Sequence, residues 1–199
     1  MNRHKALFID RDGTLILEKE YLRDPGQVQF IPGAIPALKK AAEAGFIIVM
    51  VTNQSGVGRG YFTLEDVERV HAHVAKEIAL HNVAFVKIYV APESPDAPSR
   101  GRKPSPQFLF DARDEFDIDL SRSYMVGDKL IDLQCGWNAD VRRSILVRTG
   151  YGRKVEEQEK EKLAEAIVVD DLGAAVDWVL RDSASENRAE KQHADKADH

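Results

Sequence analysis

Short apolar runs rich in β-branched residues alternate along the chain with segments of helical periodicity. The runs fall at residues 6–9, 46–51, 85–90, 123–126, 144–147 and 167–169. The runs are predominantly apolar and do not alternate with polar residues, which is typical of strands in a sheet covered on both faces. The regular alternation predicts an α/β fold with a Rossmann-like, doubly wound, mainly parallel sheet and helices on both faces.

Five amphipathic segments are the predicted helices, at residues 34–44, 63–82, 105–116, 130–139 and 171–180. Gly45 follows the first as a residue suited to a helix C-terminus, and Thr63 opens the second in a pattern typical of a capping box. Ser105 and Pro106 provide an N-cap and a first-turn residue for the third. No inserted segment is long enough to form a large cap domain.

Two stretches interrupt this alternation. Residues 91–104 contain four of the eight prolines and are predicted to form an ordered loop. Residues 182–199 are polar and rich in charge, with no aliphatic side chain larger than alanine, so we predict a disordered tail. The chain is therefore predicted to be one domain at residues 1–181 followed by this tail.

Composition and charge exclude several classes of protein. A single cysteine, Cys135, excludes an internal disulfide framework and a cysteine-cluster zinc site. The formal net charge of −5 argues against a protein held to nucleic acid by bulk charge. The longest apolar run is shorter than the roughly 18 residues that a membrane span needs, and the first residues do not resemble a signal peptide. We expect a cytoplasmic monomer with no membrane and no nucleic-acid partner.

Polar and charged residues follow four of the predicted strands, directly or, for Lys103, across the proline-rich loop. They comprise three carboxylates, a hydroxyl and two lysines, namely Asp10, Asp12, Asp128, Thr52, Lys103 and Lys129. Parallel α/β sheets bind ligands beyond the carboxyl ends of their strands, so we expect these side chains to meet at one edge of the sheet. Asp12 and Gly13 on their own would indicate an ordinary turn.

Clustered carboxylates repel one another unless a cation lies between them. Oxygen ligands without histidine or cysteine favour Mg²⁺, which in turn favours a phosphate oxygen as a further ligand. The lysines and Thr52 then supply donors to the other phosphoryl oxygens, so the pattern predicts a phosphoryl-transfer site. Asp10, at the strand end, is the predicted nucleophile. Asp12 is predicted to protonate the leaving oxygen and later to deprotonate the attacking water.

Four motifs resemble the signatures of the haloacid dehalogenase-like (HAD) phosphatases. Residues 8–14 (FIDRDGT) resemble the first, residues 51–53 (VTN) the second, Lys103 the third and residues 127–132 (GDKLID) the fourth. They occur in order between residues 6 and 150, which cover most of the predicted domain. The resemblance implies a HAD-like fold and phosphatase chemistry through an aspartyl-phosphate intermediate.

A narrower similarity joins the chain to the D-glycero-D-manno-heptose 1,7-bisphosphate phosphatases, capless HAD enzymes related to histidinol-phosphate phosphatase. It is carried by residues 52–60 (TNQSGVGRG), 102–104 (RKP) and 124–129 (YMVGDK). The resemblance implies hydrolysis of the 7-phosphate of this sugar, whose product feeds the heptose of lipopolysaccharide or S-layer glycans.

The same resemblance implies roles for individual residues. Mg²⁺ would be held by Asp10, the backbone carbonyl of Asp12, and Asp128, while Thr52 and Lys103 would hold the transferring phosphoryl group. The residues expected to recognise substrate are Arg102, Lys129, Glu18, Lys19, Glu20, Tyr21, Asn53, Gln54 and Ser55. From the sequence pattern alone, Asp132 is expected to support the site by orienting Lys129, and Arg59 to reach the substrate from a glycine-rich loop.

The three histidines of the second predicted helix and the single cysteine are not expected to take part in the chemistry. His71, His73 and His81 lie on one predicted helix. His73 and His81 share roughly the same face, but no third ligand converges with them, so we interpret all three as structural or exposed. Cys135 is interpreted as a small buried residue instead of a nucleophile.

One departure from the family pattern concerns zinc. Many members carry a Cys/His zinc site in the loop before the lysine motif, but residues 91–102 contain neither cysteine nor histidine, so we predict no zinc. Pro92, Pro95 and Pro98 are expected to stiffen this loop instead. Because the loop borders the expected pocket, histidinol phosphate and other small phosphorylated compounds stay alternative substrates. A nucleic-acid 3′-phosphatase and a non-catalytic phosphosugar-binding protein are more distant alternatives.

Overall fold

A computed structural model describes residues 3–197 of the chain, with side chains as far as Ser185. The strands are β1 (Lys5–Ile9), β2 (Phe46–Asn53), β3 (Phe85–Ala91), β4 (Tyr124–Gly127), β5 (Arg143–Val147) and β6 (Ile167–Val169). They form one parallel sheet with the order β3-β2-β1-β4-β5-β6. Each coincides with a predicted strand to within two residues at either end, which confirms the parallel α/β fold.

The helices are α1 (Ala34–Glu43), α2 (Ser55–Gly58), α3 (Leu64–Ala79), α4 (Gln107–Phe116), α5 (Leu130–Asn138), α6 (Gly152–Gln158) and α7 (Leu172–Ala197). The predicted capping box is present at the start of α3, where Thr63 Oγ1 accepts from the Asp66 N–H at 3.1 Å and Asp66 Oδ2 accepts from the Thr63 N–H at 2.7 Å. Helix α4 begins one residue later than predicted, because Pro106 and not Ser105 is its N-cap residue.

The central strand is buried on both sides. Leu7 and Ile9 face a layer that contains α1, α3 and α7, whereas Ala6 and Phe8 face a layer that contains α4 and α5. The cover is thinner at β3, where Val86 is 41% exposed although Tyr89 is buried. This strand is the edge of the sheet, and its apolar sequence does not distinguish an edge position from a central one.

Helix α7 differs most from expectation. It continues past the predicted end at residue 180, so residues 182–197 are helical where the sequence predicts disorder. Alanine, glutamate, lysine and glutamine are strong helix formers, and the lack of larger apolar residues bears on packing alone. The predicted boundary falls inside a packed segment, since Asp182 accepts hydrogen bonds from Tyr124 and Arg142 and Ser183 is buried. Residues 198–199 of the predicted tail lie outside the described residues.

The strand order places a crevice at the middle of the sheet. The chain runs outward from β1 through β2 to β3, and then returns to the other side of β1 with β4. The carboxyl ends of β1 and β4 therefore flank the point where the connections diverge, which is where α/β sheets bind ligands. The described connections between strands hold no large cap domain. Within the described part of the chain, no helix is long and apolar enough to span a bilayer.

Candidate active site

Three buried carboxylates meet at the crevice. Asp10 follows β1, Asp128 follows β4 and Asp132 lies in the first turn of α5; each offers a carboxylate oxygen within 4.8 Å of the other two. Asp132 is oriented by its own helix, because its Oδ2 accepts the Lys129 N–H at 2.9 Å. The sequence expectation that these residues share one edge of the sheet agrees with this arrangement.

Lys103 brings a buried cation to the cluster. Its Nζ lies 2.7 Å from Asp10 Oδ1 and 2.6 Å from Asp132 Oδ1, and it donates to the Val51 carbonyl at 2.8 Å. Burial lowers the pKa of Lys103, but the two carboxylates outweigh burial and raise that pKa above its ordinary value. Asn53 holds the lysine backbone, accepting from the Lys103 N–H at 3.0 Å and donating to the Lys103 carbonyl at 3.1 Å.

Asp128 has the character of a metal ligand. Its Oδ2 accepts the Tyr151 N–H at 2.8 Å, whereas its Oδ1 is buried with no hydrogen-bond partner among the described residues. Burial, together with the charges of Asp10 and Asp132, raises the pKa of Asp128 to about 8. A divalent cation with oxygen ligands relieves this excess of negative charge. Gly13, at φ +79°, passes so close that a Cβ there would overlap with the Asp128 carboxylate.

Asp12 is held by a network of buried side chains. The guanidinium of Arg11 donates from Nε to Asp12 Oδ2 at 3.0 Å and from Nη2 to Asp12 Oδ1 at 3.1 Å. Arg11 also donates to Gln54 Oε1 at 3.0 Å, and its Nη1 lies 3.1 Å from His71 Nε2. Gln54 Nε2 donates in turn to Asp12 Oδ2 at 2.9 Å and to Thr52 Oγ1 at 2.8 Å.

A polar cavity of about 330 Å³ adjoins Asp12. Seven predicted substrate-binding residues line it, namely Glu18, Glu20, Tyr21, Asn53, Gln54, Ser55 and Lys129. Lys129 Nζ lies 3.1 Å from Glu18 Oε2 and 4.8 Å from the centre of the Tyr151 ring. Burial lowers the pKa of Lys129, but the nearby carboxylates, Asp10 foremost, raise it above its ordinary value. The cavity is therefore lined by charges of both signs.

Three predicted substrate-binding residues do not line this cavity: Lys19, Arg59 and Arg102. Lys19 and Arg59 are exposed, and Arg102 donates to the Glu93 carbonyl at 3.1 Å. Burial and the charge of Arg59 lower the pKa of Arg102.

The proline-rich loop at residues 91–104 is closed by hydrogen bonds around one acidic residue. Glu93 accepts from Ser99 Oγ at 2.7 Å through its carboxylate and from Arg102 through its carbonyl. Ser99 Oγ also accepts the Arg102 N–H at 3.2 Å. These bonds join the two sides of the loop.

Sequence reasoning missed four residues of the site. Arg11 and His71 belong to the network around Asp12, while Phe62 and Tyr151 complete the cavity wall. The position of a basic residue between the two candidate carboxylates, Asp10 and Asp12, was the available signal for Arg11. Cys135 is buried as expected, and burial raises the pKa of its thiol to about 12, so it is unreactive at neutral pH.

Comparisons with known proteins agree with this geometry. The polynucleotide kinase 3 phosphatase family model matches residues 5–136, and a HAD-hydrolase-like model matches residues 101–175. D-glycero-β-D-manno-heptose-1,7-bisphosphate 7-phosphatase of Yersinia pestis is 36% identical, covering 94% of this chain and 95% of its own length. The chain belongs to the HAD phosphatases of the heptose-bisphosphatase family. This phosphatase is therefore a phosphoric monoester hydrolase.

Other relatives support the same assignment. D-glycero-D-manno-heptose-1,7-bisphosphate 7-phosphatase of Chlorobaculum tepidum is 39% identical to this HAD phosphatase, covering 88% of this chain and 94% of its own length. The crystal structure of D,D-heptose 1,7-bisphosphate phosphatase from B. bronchiseptica, complexed with magnesium and phosphate, superposes with a TM-score of 0.83. It is 30% identical and covers 89% of this chain and 99% of its own.

Proposed function

We propose that this HAD phosphatase removes the 7-phosphate of D-glycero-D-manno-heptose 1,7-bisphosphate in a Mg²⁺-dependent reaction. The observation that carries the proposal is the convergence of Asp10, Lys103 and Asp128 beside a polar cavity at the carboxyl edge of the sheet. Relatives that bear this activity in their names match most of the chain.

Asp10 is the proposed nucleophile. One of its carboxylate oxygens attacks the phosphorus, the bond from phosphorus to the ester oxygen breaks, and an aspartyl-phosphate forms. Lys103 already lies against Asp10 and stabilises the negative charge on the transferring group. The Thr52 hydroxyl accepts from Gln54, which leaves its own proton directed to a phosphoryl oxygen.

Asp12 is the proposed proton donor and acceptor. In the first step it gives a proton to the departing sugar oxygen, and the sugar leaves as an alcohol. In the second step it takes a proton from the water that attacks the phosphorus of the aspartyl-phosphate. Inorganic phosphate then leaves and the Asp10 carboxylate is restored, so protons and charges balance over the cycle.

The residues present fit a magnesium ion. Asp10, Asp128 and the backbone carbonyl of Asp12 would hold it, and the ion would neutralise charge on the phosphoryl group. The buried, unpartnered Oδ1 of Asp128 is the observation that supports this assignment. Asp132 Oδ1 also has no hydrogen-bond partner among the described residues, but it forms an ion pair with Lys103 Nζ at 2.6 Å, and Asp132 Oδ2 accepts the Lys129 N–H, so we assign Asp132 to holding Lys103. We propose that the protein binds no zinc ion.

The sugar is proposed to occupy the polar cavity. Lys129, Glu18 and Glu20 offer charged donors and acceptors for its hydroxyl groups. Arg59 and Arg102 lie outside the cavity and are near enough for their charges to interact, so we propose that they bind a second phosphate group, which is our reason for preferring a bisphosphate to a monophosphate. We further propose that the protein acts in the cytoplasm as a monomer.

A substrate panel tests the proposal. Values of kcat/KM would be measured with Mg²⁺ for both anomers of the heptose bisphosphate, histidinol phosphate, simple sugar phosphates and a 3′-phosphorylated oligonucleotide. We expect the heptose bisphosphate to have the highest value. Preference for histidinol phosphate would overturn the substrate assignment, and absence of phosphate release from every compound would favour a non-catalytic phosphosugar-binding protein.

The oligonucleotide is included because of a specific observation. The family model that matches residues 5–136 is named for a polynucleotide 3′-phosphatase. The net charge of −5 disfavours this second candidate, because binding to nucleic acid is dominated by the neutralisation of phosphates. A strong decrease of activity on the oligonucleotide with rising salt, together with the highest kcat/KM in the panel, would favour it.

A further inference from the structure

Arg11 is a fully buried cation that faces a single carboxylate. Its side chain is 0% exposed and forms its ion pair with Asp12, with a distance of 2.9 Å from Nη2 to Oδ2. A buried guanidinium is costly unless its donors are satisfied. The remaining acceptors are neutral, namely Gln54 Oε1 and the His71 ring. Arg11 is therefore oriented from three sides, with Asp12 as its one charged partner in these contacts.

His71 supplies the contact most distant in sequence, 60 residues from Arg11. The ring is buried on α3, and burial together with the Arg11 charge lowers the pKa of His71 to about 3. The ring is neutral at physiological pH, and its Nε2 faces a group that can only donate. Nε2 must therefore carry the lone pair and Nδ1 the proton. Helix α3 thus anchors the guanidinium that follows β1.

Asp12 is hydrogen-bonded to Arg11 on one side and accessible from the cavity on the other. Both of its oxygens accept from Arg11, yet 11% of its side chain is accessible and it lines the polar cavity. Two contacts from a planar guanidinium fix the plane of a carboxylate as well as its distance. Small errors of placement are costly for a proton donor, because transfer requires hydrogen-bond geometry.

We propose that Arg11 is the positioning residue for proton transfer by Asp12, and that His71 and Gln54 fix Arg11 for this task. The inference rests on the proposed function, in which Asp12 protonates the leaving oxygen. Arg11 touches neither the ester nor the phosphorus and acts through Asp12.

Leaving groups of different acidity separate this role from a structural one. An alkoxide of a sugar must be protonated as it leaves, whereas p-nitrophenolate is stable enough to leave without a proton. The value of kcat/KM reports the steps up to release of the alcohol or phenolate, so it isolates the first use of Asp12. A misplaced Asp12 lowers kcat/KM for the sugar phosphate selectively. General damage to the fold lowers kcat/KM for both substrates equally.

The main experiment compares wild type with Arg11→Met on the sugar phosphate and on p-nitrophenyl phosphate. General acid catalysis contributes about 10²- to 10⁴-fold, so we expect a loss of at least about 10²-fold on the sugar phosphate and below about 10-fold on the aryl phosphate. Arg113→Met is the matched control, since Arg113 pairs with Asp114 on the exposed surface. Equal losses on the two substrates in Arg11→Met would overturn the proposal.

A second pair of variants keeps the test decisive if Arg11→Met does not fold. His71→Leu removes the acceptor for Arg11, whereas His71→Gln retains one in the Oε1 atom. We expect a smaller loss in His71→Leu that is again selective for the sugar phosphate, and recovery in His71→Gln. Equal behaviour of the two variants would contradict the role given to the ring.

A measurement that does not depend on enzyme activity tests this inference independently of the proposed function. ¹⁵N NMR of the wild-type protein at neutral pH should show His71 with a protonated Nδ1 and a bare Nε2. A proton on Nε2 would overturn the network whatever the enzyme hydrolyses. If the heptose bisphosphate proves not to be the substrate, the alkyl phosphate that the panel selects replaces it in the comparison of leaving groups.

Discussion

Lys103 Nζ lies 2.7 Å from Oδ1 of Asp10, a residue 93 positions earlier in the chain. The contact joins the loop after β3 to the end of β1 and places a cation directly against the proposed nucleophile. A second contact to Asp132 means that the lysine is shared by two buried carboxylates. Lys103 is therefore the cation in direct contact with both Asp10 and Asp132.

Replacement of this cation is expected to destabilise the fold. Lys103→Met leaves Asp10 and Asp132 buried without their positive partner, and breaking a buried ion pair from one side costs about 3–5 kcal/mol. The additional substitution Asp132→Asn removes one of the two orphaned charges and should recover part of the loss. Urea unfolding in the presence of a chelator measures both variants. A double variant no more stable than the single one would contradict this explanation.

Asp10→Asn is expected to abolish turnover while the fold is retained. The substitution removes the nucleophilic charge with little change of volume, and the amide oxygen can still accept from Lys103. We expect kcat to fall by at least about 10³-fold, as is common when a nucleophile is removed. Phosphate release measures the loss, and near-UV circular dichroism checks the fold. Retention of a tenth of the activity would exclude Asp10 as the nucleophile.

Asp128→Asn is expected to abolish stabilisation by Mg²⁺ without lowering the stability of the metal-free protein. The pKa of Asp128 is raised to about 8, so its carboxylate opposes folding at neutral pH in the absence of a cation. The asparagine variant should therefore melt at or above the wild-type temperature in a chelator. Mg²⁺ at about 100 times its Kd should stabilise the wild type by about 2.7 kcal/mol and leave the variant unchanged. An equal shift in both proteins would place the ion elsewhere.

His71 is expected to make the fold sensitive to acid. Its pKa of about 3 in the folded state lies below the unfolded value of about 6.5, so the unfolded chain binds the extra proton between these values. The contribution of His71 is thus fully present above pH 6.5 and is lost progressively as the pH falls toward 3.

The variant His71→Gln isolates this contribution. Below about pH 6, the free energy of unfolding of the wild type should fall faster than that of the variant, by up to about 1.4 kcal/mol per pH unit. Urea titrations at several pH values give the two slopes, and subtraction removes the effect of the other titrating groups. Parallel curves would show that the ring is protonated as readily in the folded protein as in the unfolded chain.

Much of the fold and the chemistry of the site could be predicted because both depend on local patterns. The apolar runs identify the strands, and Asp10 and Asp128 follow two of them directly. Once the strands are parallel, residues that follow them share an edge whatever the loop conformations are. The meeting of the two carboxylates therefore needed no knowledge of the packing of individual side chains.

Contacts that depend on packing could not be predicted in the same way. The pairing of Arg11 with His71 depends on the rotation of α3 against β1, which helical periodicity does not specify. Tyr151 reaches the cavity because its loop folds back over Asp128, and Arg102 lies outside it because its guanidinium bonds to the Glu93 carbonyl. The length of α7 was missed because a polar composition was equated with disorder.

The hydrogen bond from the Asp10 N–H to the Val126 carbonyl, 3.0 Å long, belongs to the same β1–β4 pairing that brings the two carboxylates together. Separation of these two strands would move Asp10, the proposed nucleophile, away from Asp128, the proposed metal ligand. The activity of the enzyme is consequently expected to depend on the pairing of β1 with β4. Loss of activity on heating should coincide with separation of β1 from β4, and fraying of β6, at the edge of the sheet away from Lys103, should leave turnover intact.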